Sequence, residues 1–99
     1  MINRKDLQNI ESLFMLSTLG ECRSKRKAAE AIGASVDTLN KYIGNLEAEF
    51  GLQLVISSEH GCTLTPKGVK FTENASRMEE LLQQMYAENG RNTPNFFPV

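Results

Sequence analysis

The chain has 99 residues, 40% of them hydrophobic, and a formal net charge of −1. This length suits one small domain, and the composition excludes wholesale disorder. Nucleic-acid-binding proteins are usually basic on at least one face, so the overall charge argues mildly against that class. Two distant cysteines, no long apolar run and a start unlike a signal peptide predict a cytoplasmic protein without a disulfide scaffold.

Three helices are predicted in the first half of the chain. The first begins after Asn3, whose side chain can cap it, and ends at Gly20. The second follows the cap Ser24 and stops at Gly33, which suits a left-handed backbone conformation. The third covers about residues 35–50 and has one apolar face at helical spacing. That face holds Leu39, Ile43, Leu46 and Phe50.

The pattern changes in the second half. Residues 52–57 and 62–65 are predicted to be two short strands, joined by a turn over 58–61. Thr65 and Pro66 are typical of a helix start, and the fourth helix extends to about Glu88. We therefore expect a first domain over residues 1–65, a separate long helix over 66–89, and a loop or disordered tail over 90–99.

The second and third predicted helices have the spacing of a helix-turn-helix. Ala29 supplies the small side chain that two steeply crossing helices need, and Gly33 allows the tight turn. Leu39 and Ile43 would project back onto the preceding helix. A plain helical hairpin could show the same residues, but the strands and helix that follow give the order of a winged helix.

This arrangement resembles the N-terminal DNA-binding domain of LysR-type transcriptional regulators. The matching residues, in chain order, are Ser24, Ala28-Ala29, Ser35, Ile43, Leu46-Glu47, Gly51, Leu54-Val55, Leu64-Thr65 and Gly68. The resemblance covers roughly residues 5–88. It implies a mainly α fold, in which three helices and a two-stranded hairpin wing are followed by a long linker helix that pairs two subunits. The effector-binding domain that follows this helix in the family has no counterpart in these 99 residues.

The outward face of the third helix is the candidate for reading DNA, because recognition helices enter the major groove with their N-terminal half leading. The candidates for base edges and nearby phosphates are Ser35, Thr38, Asn40, Lys41 and Asn45. Where the family commonly has Gln-Pro, this chain has Val36-Asp37. A carboxylate there would face phosphates, although it could also accept a hydrogen bond from cytosine N4.

A run of cations surrounds the start of the second helix. It consists of Arg23, Lys25, Arg26 and Lys27. In this fold the N-terminal amides of that helix point at the phosphate backbone, so the resemblance makes these residues candidates for phosphate contact. Arg4 and Lys5 can add to them. By itself such a run is more often a solvated face.

The fourth helix carries apolar residues spaced four, three, four and three, which is typical of a coiled-coil seam. The seam holds Phe71, Ala75, Met78, Leu82 and Met85. It predicts a homodimer through residues 66–88 and part of the first helix. The alternative is that this helix packs back on its own domain.

Nothing in the sequence indicates catalysis. Cys22, His60 and Cys62 lack the spacing of a metal site, and there is no glycine-rich phosphate loop, carboxylate pair or nucleophile elbow. We expect no enzyme activity, metal or cofactor. The leading hypothesis is a dimeric, sequence-specific regulator that binds double-stranded DNA. The other is a winged-helix module that binds a protein partner, which Asp37, Glu59 and the scarcity of basic residues favour.

Overall fold

A computed structural model describes residues 1–90, and most of the predicted tail lies outside them. The elements are α1 (Arg4–Cys22), α2 (Lys25–Ile32), α3 (Val36–Phe50), β1 (Val55–Ser58), β2 (Gly61–Leu64) and α4 (Pro66–Glu88). The strands pair antiparallel, with Val55 opposite Leu64 and Ser58 opposite Gly61. The fold is mainly helical, a winged helix-turn-helix with a long last helix, as predicted.

Local signals fix the ends of the helices. The side chains that cap the four N-termini are Asn3, Ser24, Ser35 and Thr65. Each accepts a hydrogen bond from a backbone N–H in the first turn, which satisfies one of the unpaired donors there. Gly33 and Gly51 end α2 and α3 with φ of 82° and 63°, a region that favours glycine. These caps confirm the predicted starts of the four helices and the predicted ends of α2 and α3.

The core lies where α1, α2, α3 and the wing meet. Its buried members are Leu16, Leu19, Ala28, Ala29, Leu39, Ile43, Leu46, Leu54 and Cys62. Ala29 is buried at the crossing of α2 and α3, and Leu39 and Ile43 project into the core as predicted. Cys62 of the wing is buried as well, with 6% of its surface exposed.

The predicted end of α1 at Gly20 is wrong. The helix continues to Cys22, and Arg23 ends it with φ of 57°. A glycine inside a helix costs only about 1 kcal/mol relative to alanine, so it need not stop one. Glycine at this position leaves room for the wing, because a Cβ at Gly20 would come within 2.7 Å of Leu64 Cδ1.

The predicted strands are also displaced. The first begins at Val55, three residues later than expected, and the second spans residues 61–64. The cause is Glu47 on α3, whose Oε2 accepts hydrogen bonds from the backbone N–H groups of Leu54 (2.8 Å) and Val55 (3.2 Å). The two backbone N–H groups at the start of the wing are therefore bound to α3 and not to the partner strand.

Phe50 does not belong to the core, although the periodicity of α3 placed it there. Its side chain is 52% exposed, at the edge of an apolar groove between α1, α3 and α4. The ring packs edge-on against Phe71 of α4, with centroids 5.1 Å apart. This contact joins the end of α3 to the first turns of α4.

Candidate nucleic-acid interface

The face of α3 that points away from the core is polar and open. Its exposed residues are Asp37, Asn40, Lys41, Gly44, Asn45 and Ala48. Within residues 1–90, the structure shows no hydrogen-bond or ion-pair partner for the side chains of Asn40, Lys41 and Asn45. A Cβ at Gly44 would meet nothing within 4 Å, so the middle of this face is flat. Such a surface permits close approach by another molecule.

The first turn of α3 contains two predicted site residues that bind each other. Ser35 Oγ accepts from the backbone N–H of Thr38 (3.1 Å) and donates to Thr38 Oγ1 (3.0 Å). Thr38 is half-buried, and Val36 packs against the core. The structure therefore separates the predicted residues of α3 into a capping pair and an unpartnered set further along the helix.

Of the predicted cations of α2, Lys25 lies next to this face. Arg26 and Lys27 are exposed, and no carboxylate of residues 1–90 lies within ion-pair distance of them. Lys25 is half-buried and shares a cavity of about 140 Å³ with Asn40 and Gly44 of α3. This cavity places Lys25 next to the exposed face of α3, and Arg26 and Lys27 follow it directly along α2.

Arg23 lies apart from the other three, at the junction of α1 and α2. Its carbonyl oxygen accepts a hydrogen bond from the backbone N–H of Cys62 (3.1 Å), and its side chain is exposed. Gly61 permits this contact, because a Cβ there would lie 2.6 Å from the Arg23 oxygen. The backbone of Arg23 thus fixes the wing to the start of α2.

A polar groove of about 640 Å³ lies on the other side of α3, between it and the N-terminal half of α1. Arg4 and Lys5 line it together with Lys41 and Asn45. Lys5 Nζ lies 2.7 Å from Glu49 Oε1. This hydrogen bond, and then the charge of the carboxylate, raises the pKa of Lys5. The exposed face of α3 therefore has cations along both edges, one of them paired.

The wing itself carries no lysine or arginine between residues 52 and 64. Its tip consists of Glu59 and His60, both fully exposed, with His60 Nε2 3.9 Å from Glu59 Oε1. The positive charge of this region consequently comes from α1, α2 and Lys41 of α3.

The structure divides the predicted dimer seam of α4 into two parts. Ala75 is 1% exposed and Phe71 packs against Phe50 and the core, so both are already engaged within the protomer. Three later seam residues remain exposed, together with Leu81. They are Met78, Leu82 and Met85. Met78 and Leu81 border an apolar groove of about 630 Å³ between α1, α3 and α4.

Other kinds of site find no support in the described part of the chain. Among residues 1–90, no three histidine, cysteine, aspartate or glutamate side chains come together as a metal ion would require. Cys22 and Cys62 are both free thiols. None of the four helices is long and apolar enough to cross a membrane.

Comparison with known proteins identifies the family. A family model described as "Bacterial regulatory helix-turn-helix protein, lysR family" matches residues 10–69, which contain the helix-turn-helix and the wing. The chain belongs to this LysR family. The resemblance noted in the sequence is thereby confirmed.

Two curated relatives of this LysR-family chain are named as HTH-type transcriptional regulators. YkuM of Bacillus subtilis is 32% identical over 80 residues, which are 81% of this chain and 27% of YkuM. PtxR of Pseudomonas aeruginosa is 32% identical over 77 residues, which are 78% of this chain and 25% of PtxR. The chain thus spans about a quarter of the length of the curated relatives it matches.

Solved structures similar to this LysR-family chain include two with DNA. The BenM_DBD complex with catB site 1 DNA superposes with a TM-score of 0.74 at 28% identity, covering 83% of this chain and 91% of that one. Full-length CbnR in complex with its target DNA gives a TM-score of 0.71 at 26% identity, covering 81% of this chain and 28% of CbnR.

Proposed function

We propose that this chain is the DNA-binding part of a dimeric, sequence-specific transcriptional regulator that acts in the cytoplasm by binding and not by catalysis. One observation carries this proposal. The unpartnered polar face of α3 lies between cations, Lys25 at the start of α2 on one side and Arg4 and Lys5 of α1 on the other. That is the arrangement a helix needs when it enters the major groove between two phosphate backbones.

The net charge of −1 is compatible with this role because the charges are unevenly distributed. Four glutamates lie on α4, and two of them, Glu79 and Glu80, line the outer face of that helix. At physiological salt, exposed charges further apart than about 8 Å are largely screened from each other. The phosphates would therefore respond mainly to the cations next to α3.

The complexes formed by BenM_DBD and CbnR support DNA as the ligand. A salt titration tests it directly. Fluorescence anisotropy with a labelled duplex should show binding that weakens steeply as salt rises, because each phosphate contact releases counterions. Millimolar affinity at low salt would contradict the proposal and leave the protein-binding hypothesis.

We place the dimer interface on the exposed half of the α4 seam, at Met78, Leu82 and Met85 with Leu81 beside them. Phe71 and Ala75 would support it from inside each protomer. Two copies would then present two α3 helices to successive turns of DNA. Each α3 face binds weakly by itself, and the two faces of a dimer would bind the same duplex at once.

Replacing Leu82 with glutamate is expected to turn the dimer into a monomer and to lower DNA affinity at least about tenfold, because the second half-site is lost. The new carboxylate would be buried in the apolar contact between the subunits, and its loss of hydration would destabilise the dimer. Sedimentation velocity at tens of micromolar and anisotropy measure the two effects. Gln84→Glu, on the opposite face of α4, adds the same charge and serves as the control. A wild-type monomer at that concentration would contradict this interface.

Glu49→Gln is expected to raise DNA affinity severalfold. The carboxylate that holds Lys5 at 2.7 Å is removed, so the amine becomes available to a phosphate and one repulsive charge disappears. The slope of log affinity against log salt should become steeper by up to about 0.9, the value for one phosphate contact. Glu80→Gln on the outer face of α4 is the matched control. An equal gain in both variants would mean that only net charge matters.

A further inference from the structure

Asp37 is the residue of the α3 face that a plain phosphate-binding role leaves unexplained. It is exposed in the first turn of α3, where the positive end of the helix dipole favours a carboxylate. Lys41 follows one turn later on the same face. Even so, within residues 1–90 no cationic side chain lies within 4 Å of the Asp37 carboxylate. The carboxylate is therefore held at the leading tip of the helix without a partner.

The neighbouring residues cannot take over the contact at this tip. Val36 packs against the core, and the hydroxyl hydrogen of Ser35 is donated to Thr38. Thr38 is half-buried within the same cap. The exposed, unpartnered polar side chain in the first turn of α3 is consequently that of Asp37. Any base pair lying under this turn would meet a hydrogen-bond acceptor with a negative charge.

Only one base offers such an acceptor a good partner in the major groove. Guanine and thymine present acceptors there, and these repel a carboxylate. Adenine presents its N6 donor beside the acceptor N7, so the second carboxylate oxygen would face a lone pair. Cytosine presents its N4 donor without an acceptor on its own edge. The same negative charge is repelled by phosphates, which weakens binding to every sequence that lacks the cytosine.

We propose that Asp37 is a specificity-determining residue that accepts a hydrogen bond from N4 of one cytosine in each half-site. The inference rests on the proposed function, since it places α3 in the major groove. Asp37 would lower the affinity for other sequences, because the base contact offsets the phosphate repulsion only where the cytosine is present. A good base contact of this kind discriminates by about tenfold or more.

Selection from a randomised duplex library tests the inference. Wild-type protein should enrich a cytosine at one position, repeated with the symmetry of the two half-sites. Asp37→Asn should lose that preference, shift it towards adenine, which asparagine reads, and keep every other position. Glu30→Gln on α2 removes the same charge and should keep the cytosine. Melting curves of each variant check that it folds. The same cytosine selected by wild type and Asp37→Asn would overturn the inference.

A modified base gives a second test, in which the DNA is changed as well as the protein. In duplex DNA, N4-methylcytosine uses its one remaining hydrogen to pair with guanine, so no N4–H is left for the groove. Placing it at the selected position should weaken wild-type binding about tenfold and leave Asp37→Asn unchanged. Equal losses in both proteins would overturn the role of Asp37. If wild type enriches no sequence and shows no salt-dependent binding, the proposed function fails as well.

Discussion

Replacing Arg26 and Lys27 together with alanine is expected to weaken binding to every duplex and to flatten its salt dependence. Both side chains are exposed in the first turn of α2, directly after Lys25, which shares a cavity with the face of α3. Each lost phosphate contact should lower the slope of log affinity against log salt by about 0.9, or about 1.8 for the pair. Anisotropy titrations between 50 and 200 mM salt, on specific and random duplexes, measure this effect.

The control for this prediction uses two exposed cations of α4. Lys67→Ala with Lys70→Ala removes the same total charge from a helix that packs on α1 and the wing. We expect little change in slope from that pair. If both pairs lowered affinity equally, the cations of α2 would act only through the overall charge. The prediction that Arg26 and Lys27 contact phosphates would then be wrong. A loss on one duplex only would instead assign Arg26 or Lys27 to base reading.

Gly68→Ala is expected to lower the free energy of unfolding by about 3 kcal/mol, as an overpacked interior does. A Cβ at Gly68 would lie 2.3 Å from the backbone oxygen of Leu54 and 3.2 Å from Leu64 Cβ. That oxygen already accepts the N–H of Thr65 at 3.0 Å, so the wing and the start of α4 must separate. Chemical denaturation followed by circular dichroism measures the loss.

Gly44→Ala is the matched control, since Gly44 is also a helical glycine. Open space surrounds its Cβ position, so alanine should raise the free energy of unfolding by about 1 kcal/mol through helix propensity. A small loss at Gly68 would show that the wing can shift away from α4 at little cost. The two variants thus separate crowding from the general effect of glycine on a helix.

The features that sequence predicts well here are local ones. Ser24, Ser35 and Thr65 cap helices by bonds to residues three positions away, so the chain itself contains the whole signal. Gly33 and Gly51 end helices through their own backbone conformation. Fold and family followed from these positions and from the order of the elements.

The features that sequence does not predict are contacts between distant residues. Lys5 and Glu49 form an ion pair across 44 positions. Glu47 binds the backbone N–H of Leu54, and the first strand begins only after that residue. No spacing rule relates these residues. Phe50 shows a second limit, because periodicity gives the direction of a side chain but not how far the core extends. In the candidate site, the sequence named the cations but could not show that Lys5 is already paired with Glu49.

The exposed half of α4 has a thermodynamic consequence. In residues 76–88 every side chain is exposed except Tyr86, which is half-buried, so little of its own domain supports this segment. A helix shorter than about 12–15 residues is marginal in water without tertiary contacts. Pairing of two such segments would therefore couple helix formation to association. Dilution would then unwind the end of α4 as well as separate the subunits, and the protein concentration in the cell would set how much of this helix exists.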